Sequence, residues 1–193
     1  MNLVERLSAR LAVPAAEAPE AGDTPEASAL AGTAAAVLIA VTDRPHPGVV
    51  LTVRREHLRT HAGQVAFPGG RIDPGEEPVA AALREAQEEL ALDPALVAVA
   101  GTLDPYRTIT GYLVTPVLGV IPPGLALVPH DHEVADWFEA PLAHLLDPAN
   151  QRTESVVSGG LERRYWRIEW DDRLIWGATA AMLVNLSRRL QWA

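Results

Sequence analysis

The sequence predicts a mixed α/β layer architecture, and three observations carry that prediction. Short β-branched and apolar runs fill the middle of the chain, one segment repeats apolar residues at helical spacing, and clusters of turn-forming residues separate the runs. At 193 residues the chain is long enough to bury one sizeable core. The expected division is an N-terminal helix with a Pro/Ala/Glu-rich linker over residues 1–29, followed by a single domain over residues 30–193.

Leu3, Leu7 and Leu11 recur every four residues, so Asn2 to Leu11 is expected as a short amphipathic helix. Ala12 to Glu26 reads as a weakly ordered linker. Thr33 to Val41 and Val49 to Val53 form a strand pair around the turn cluster DRPHPG, and Gln64 to Phe67 is a further short strand. Leu96 to Leu103 and Tyr112 to Ile121 are strands joined by a polar loop, DPYRTITG. Glu133 to Phe138 is another strand, followed by a helical turn from Pro141 to Leu146. Ser155 to Val157 and Arg164 to Trp170 make a hairpin, Asp171-Asp172 a turn, and Trp176 to Gln191 a closing helix.

Composition removes whole classes of function. A formal net charge of -9 and a pI near 5.1 argue against nucleic acid or an anionic membrane surface as partners, since both are held by excess cations. There is no lysine, so Schiff-base chemistry and the P-loop lysine are excluded. The absence of cysteine excludes disulfides, thiolate zinc sites, iron–sulfur clusters and a thiol nucleophile. No run approaches the roughly 18 apolar residues of a membrane span. The charged N-terminus does not read as a signal peptide, and a cytoplasmic location is expected. The sequence leaves oligomeric state open, a homodimer included.

Against this background one stretch stands out. Gly70 to Leu92 gathers Asp73, Glu76, Glu77, Glu85, Glu88 and Glu89 around a helix expected from Pro78 to Leu90. Pro74-Gly75 suits a tight turn, and Pro78 suits the first helical position, where its missing N–H costs nothing. At about 100° per residue, Val79, Leu83, Ala86 and Leu90 share one stripe, with Glu85, Glu88 and Glu89 nearly opposite. Three carboxylates within one turn repel one another unless a cation joins them, and all-oxygen ligands select hard ions such as Mg²⁺. Arg84, one turn before Glu88, can hold that carboxylate in place. A solvated acidic face would account for EAQEE alone.

The full spacing of Gly70, Glu76, Arg84-Glu85-Ala86-Gln87-Glu88-Glu89 and Leu92 resembles the Nudix box. Ala86 stands where a large aliphatic is common and Ala91 where glycine is usual, which raises the question of how the helix ends. The preceding run concentrates Arg54, Arg55, His57, Arg59 and His61 in an otherwise acidic chain. With Thr52, Gly63, Phe67, Pro68, Gly69 and Gly70 it resembles the upstream signature of the coenzyme A pyrophosphatase subgroup. Arg55 departs from the small residue expected there, and Ile175 to Thr179 shares the likeness.

The resemblance implies the Nudix fold, an α/β/α sandwich around a mixed β-sheet. It also implies Mg²⁺- or Mn²⁺-dependent hydrolysis of coenzyme A to 3′,5′-ADP and 4′-phosphopantetheine. Under it, Glu85, Glu88, Glu89 and Arg84 are the catalytic candidates, and Glu85, Glu88, Glu89 and Gly69 the metal set. Arg54, Arg59, His61, Gly69 and Gly70 would meet a small-molecule diphosphate. The general base stays open among Glu76, Glu88, Glu133 and His132; Glu133 and Glu139 read as surface carboxylates, and His130 and His132 as exposed polar residues. Two other readings remain: a Nudix hydrolase for ADP-ribose or another nucleoside diphosphate derivative, and a nucleotide-binding module without turnover.

Overall fold

The computed structural model describes residues 1–14, 17–23, 32–55, 63–158 and 161–191. Its centre is a mixed eight-stranded sheet: β1 (Thr33–Thr42), β2 (Gly48–Arg54), β3 (Val65–Ala66), β4 (Gly69–Arg71), β5 (Ala98–Thr102), β6 (Tyr106–Arg107), β7 (Tyr112–Ile121) and β8 (Val134–Pro141). β1 runs parallel to β7 over ten residue pairs, from Thr33 with Tyr112 to Thr42 with Ile121. On its other edge β1 meets β2 near Val41 and β4 near Val37, both antiparallel.

β1 is apolar from Ala34 to Val41 and lies inside the sheet from Ala35 onward with both faces covered, as a central strand must be. Successive side chains point to opposite faces. Ala35, Ile39 and Val41 pack with helices α1 (Leu3–Ala12), α3 (Leu142–Leu146) and α4 (Ala178–Leu190). Ala36, Leu38 and Ala40 pack against Ala82, Ala86 and Leu90 of helix α2 (Pro78–Leu90). Helices therefore cover both faces, giving the expected α/β/α sandwich. A second antiparallel sheet, β9 (Arg152–Ser158), β10 (Leu161–Trp170) and β11 (Arg173–Trp176), adds Ile168 and Ile175 to the α4 side. Among the described residues no helix is long and apolar enough to cross a membrane.

Several boundaries differ from the sequence expectation. The strand expected from Leu96 begins at Ala98, because Asp93 Oδ1 accepts the Ala95 N–H (2.9 Å) and caps a 3-10 turn over Pro94–Leu96. The loop DPYRTITG contains β6, which pairs with β7 at Val114 and Leu113. Trp176 belongs to β11, opposite Arg167, and Gly177 at φ 63° breaks the chain before α4 starts at Ala178. Ala180, Leu183, Val184 and Leu190 are buried, as expected of that helix.

The stretch expected as a weakly ordered linker is tied down at Glu17–Asp23. Asn185, buried on α4, accepts the Glu20 N–H (2.8 Å) and donates to the Glu20 carbonyl (2.9 Å). Arg188 pairs with Glu17 and Glu20. Arg107 N–H donates to Ala21 O, and Asp23 N–H donates to Arg107 O.

Candidate active site

The acidic cluster begins in the turn before α2. Gly75 takes φ 84° there, Glu76 N–H donates to Asp73 O, and Asp73 N–H returns a bond to Glu76 Oε2, each 3.0 Å. Pro78 is the first helical residue, as expected. The helix ends through Ala91, which adopts the left-handed conformation (φ 54°, ψ 29°) and donates to Gln87 O at 2.9 Å. The site usual for glycine thus keeps its conformation with alanine, at a cost of about 1 kcal/mol.

Arg84 is the hub of the cluster. Its Nε and Nη2 fork onto Glu76 Oε1 and Oε2 (both 3.0 Å), Nη1 meets Glu85 Oε1 (2.9 Å), and Nη2 also donates to Arg71 O (2.9 Å). The expected partner, Glu88, receives only a longer contact of 3.3 Å from Nη1. A bidentate guanidinium–carboxylate fork is geometrically better than an i,i+4 contact with an exposed glutamate, so Glu76 takes the arginine. This pairing holds the Glu76 carboxyl below its usual range, with the Asp73 N–H assisting, and raises the Arg84 guanidinium further.

Glu89 leaves the solvent-facing stripe in which its spacing places it: only 4% exposed, it is the buried carboxylate of the site. The reason is nonlocal. Leu38 N–H donates to Pro68 O and Ile72 N–H to Ala34 O, so Gly69 lies between ladder bonds and turns its own N–H and C=O to the free edge of β4. That N–H donates to Glu89 Oε2 at 3.1 Å. Burial pushes the Glu89 carboxyl up to about 8, against the opposing pull of the Gly69 N–H and the Arg54 charge; Glu85 and Glu133 add repulsion. Glu85 is also raised by burial, an effect partly offset by Arg84.

The two glycines are required by close approach. A Cβ on Gly70 would stand 2.5–2.6 Å from the Glu85 carboxylate, and one on Gly69 would stand 2.4 Å from Ala36 O.

Glu133, read from sequence as a surface carboxylate, bears electrostatically on both Glu85 and Glu89. The connection into β8 puts it there. Val128 and His130 N–H groups cap the carbonyls of Leu90 and Glu89 at the end of α2 (2.9 and 2.8 Å), and Arg55 N–H donates to Glu133 O (3.1 Å). The acidic residue closing PHDHE was the available signal. His130 and His132 are exposed and stack loosely on each other, 5.5 Å between centroids. Glu139 instead pairs with Arg44 on the far end of β8.

At the end of β2, Arg54 faces this cluster, and its buried Nε has no hydrogen-bond partner among the described residues. Arg59 and His61 lie outside the described residues.

Among the described residues, no three acidic or histidine side chains converge to ion-binding geometry. Glu85 and Glu88 both lean on Arg84 Nη1, and the Glu88 side chain is 60% exposed. The donor set nonetheless suits a hard divalent cation. Glu85 and Glu89 are desolvated carboxylates one helical turn apart, and the glycine backbone leaves a cradle that a Cβ would fill.

Residues 32–158 match the model of the Nudix domain. Over 157 residues, 81% of this chain and 82% of the relative, the sequence is 45% identical to a protein of Escherichia coli O7:K1 named as the uncharacterized Nudix hydrolase NudL, and equally to a NudL of Shigella boydii. The crystal structure of RenU, a Nudix hydrolase from M. smegmatis, superposes with a TM-score of 0.51 at 27% identity, covering 59% of this chain and 73% of that one. The domain match, the extent of the NudL identity and the sandwich with its acidic helix place the chain in the Nudix family, hydrolases that act on diphosphate bonds.

Proposed function

We propose that this Nudix hydrolase cleaves the diphosphate of coenzyme A or its acyl derivatives, giving 3′,5′-ADP and 4′-phosphopantetheine or its acyl form. The carrying observation is Arg54: a guanidinium with a buried, unpartnered Nε beside the desolvated Glu89. A guanidinium fork matches phosphate oxygens, and one aimed at a carboxylate cluster suits a substrate with several phosphates. Arg54 belongs to the run, from Leu51 to Gly70, whose spacing resembles the coenzyme A pyrophosphatase signature.

Nudix hydrolases generally use divalent metals such as Mg²⁺ or Mn²⁺; when bound, such an ion neutralises charge building on diphosphate oxygens and acidifies water. In this chain Glu85, Glu88 and Glu89, with Gly69, would hold it. Arg84 fixes Glu85 in place, and the Gly69 N–H fixes Glu89. Glu76 is consumed by the Arg84 fork and is unsuited to proton transfer. Glu133, exposed and bearing electrostatically on Glu85 and Glu89, would take the proton of an attacking water. Arg54 would hold the phosphates, the 3′-phosphate among them.

Product analysis after incubation with coenzyme A and Mg²⁺ tests this reading. The expected products are 3′,5′-ADP and 4′-phosphopantetheine. A higher kcat/KM for ADP-ribose than for coenzyme A would shift the assignment to a nucleoside diphosphate derivative. Binding of coenzyme A without cleavage in excess Mn²⁺ would replace it with a non-catalytic module.

A further inference from the structure

The second sheet has a covered face and an open one. Side chains along β10 alternate, so Trp166 and Ile168 point inward, where Ile168 and Ile175 are buried in the core shared with α4. Arg163, Tyr165, Arg167 and Glu169 point outward. Register sets Val156 beside Arg163, Trp176 beside Arg167 and Leu174 beside Glu169 on that outer face. Val156, Leu174 and Trp176 are 48%, 42% and 40% exposed there. A sheet with one solvated face is expected to turn polar residues to that side, and this one keeps three large apolar side chains on it.

The middle of this face is already ordered. Arg167 pairs with both Glu154 and Glu169, and the Tyr165 hydroxyl donates to Glu154 Oε2 at 2.8 Å. The Tyr165 ring meets Trp176 in a T-shaped contact, 5.8 Å between centroids. Docking onto side chains fixed in this way costs little further ordering. The available charge lies at the ends. Arg163 has no ion pair among the described residues, and the Glu169 side chain is 62% exposed.

Along β10 the outward order is cation, tyrosine, cation, anion. A two-fold axis crossing the strand at Trp166 exchanges position 163 with 169 and position 165 with 167. Arg163 of each copy then faces Glu169 of the partner subunit, and each Tyr165 ring faces Arg167 of the partner subunit. Parallel stacking of the same two faces would set like charges against each other. The surface is thus complementary to itself in one orientation. Ten residues of β10 span about 33 Å and three strands about 14 Å, so two such faces bury on the order of 1,000 Å². That suffices for a specific but readily reversible association.

We propose that the outer face of the second sheet is a homodimer interface, in which two copies of the chain pack face to face with their β10 strands antiparallel. Trp176 and Leu174 supply the buried apolar area, and the Arg163 and Glu169 ends set the orientation. None of these residues belongs to the carboxylate site, so the interface is independent of the coenzyme A reading.

Sedimentation velocity of the full chain over roughly 5 to 500 µM tests it. The expected result is reversible exchange between monomer and dimer, with no larger species, because an isologous contact closes on itself. Leu174→Asp should weaken the dimer at least tenfold, whereas Val128→Asp, at an exposed apolar residue outside this sheet, should not. Arg163→Glu and Glu169→Arg should each weaken it at least tenfold, and the two together should recover most of the loss by restoring the pair across the axis. These positions are at the surface, so unchanged thermal melts of the variants are expected and separate loss of association from loss of fold. A chain that stays monomeric throughout, a dimer indifferent to Leu174→Asp, a double exchange that recovers nothing, or assembly beyond the dimer would each overturn the proposal.

Discussion

Arg84 and Glu76 are joined by two parallel hydrogen bonds of 3.0 Å across the turn that opens α2, so one guanidinium fixes both the loop and the helix face that carries Glu85. Lysine can supply the charge but not the fork. Arg84→Lys should leave a folded protein, destabilised by about 1 kcal/mol because the pair is partly solvated. Hydrolysis should fall roughly 10- to 100-fold, the range typical when a residue orienting a metal ligand is lost. Denaturant titration and steady-state rates on one preparation check both numbers.

Gly69 and Gly70 should respond differently to alanine. At Gly70 the added methyl meets the Glu85 carboxylate, a side chain that can swing away, so Gly70→Ala should fold and lose metal-dependent activity. At Gly69 it meets the backbone of Ala36 and Val37, which cannot move without disturbing β1, so Gly69→Ala should unfold at a markedly lower temperature. Thermal melts alongside the activity assay separate the two outcomes.

Ala91 holds a left-handed conformation that glycine adopts at no steric cost. Ala91→Gly should stabilise the chain by about 0.5–1 kcal/mol, read as a rise in denaturant midpoint at unchanged slope. Turnover should stay within a factor of two, since no side chain of the site is touched.

The buried Glu89 gives the metal-free protein a signed pH dependence. Its carboxyl titrates near 8 when folded and near 4.5 as the unperturbed reference, so between those values the folded chain binds the extra proton. Glu89 therefore contributes stability that is fully present below about 4.5 and is lost as pH rises toward about 8. The melting temperature in EDTA should decline across that window, and Glu89→Gln should flatten the decline. Adding Mg²⁺ should raise the melting temperature more at pH 8 than at pH 6, because the ion requires the deprotonated carboxylate.

Arg54→Glu should raise KM for coenzyme A several-fold more than KM for a dinucleotide lacking the 3′-phosphate. Equal effects on the two substrates would remove Arg54 from the specificity assignment and leave it a general phosphate contact.

What the sequence made legible was whatever depends on neighbours along the chain. The bounds of α2, its proline start and the packing of Ala86 and Leu90 follow from spacing alone, and the structure has them. What it hid depends on strands meeting from far apart. Glu89 shares a stripe with Glu85 and Glu88, yet it is buried because β4 presents the Gly69 N–H to it; β4 itself is three residues long and exists only as a partner of β1. Likewise β6 and β11 are too short to announce themselves, and Trp176 looks like the start of a helix until its pairing with Arg167 is seen. Glu133 was legible only as one acidic candidate closing PHDHE, and its influence on Glu85 and Glu89 follows from the segment before it, which caps the end of α2. The Arg84 fork reaches back across a turn to Glu76, which helical periodicity does not describe.

The parallel pairing of β1 with β7 also bears on how the chain is made. Thr33 leaves the ribosome long before Tyr112, and until β7 arrives the run from Ala34 to Val41 is a hydrophobic ribbon with an open edge. Distant pairings of this kind form slowly, so nascent chains shorter than Ile121 should depend on chaperones and aggregate in their absence. Stalled translation before that residue would therefore threaten yield more than stalling after it.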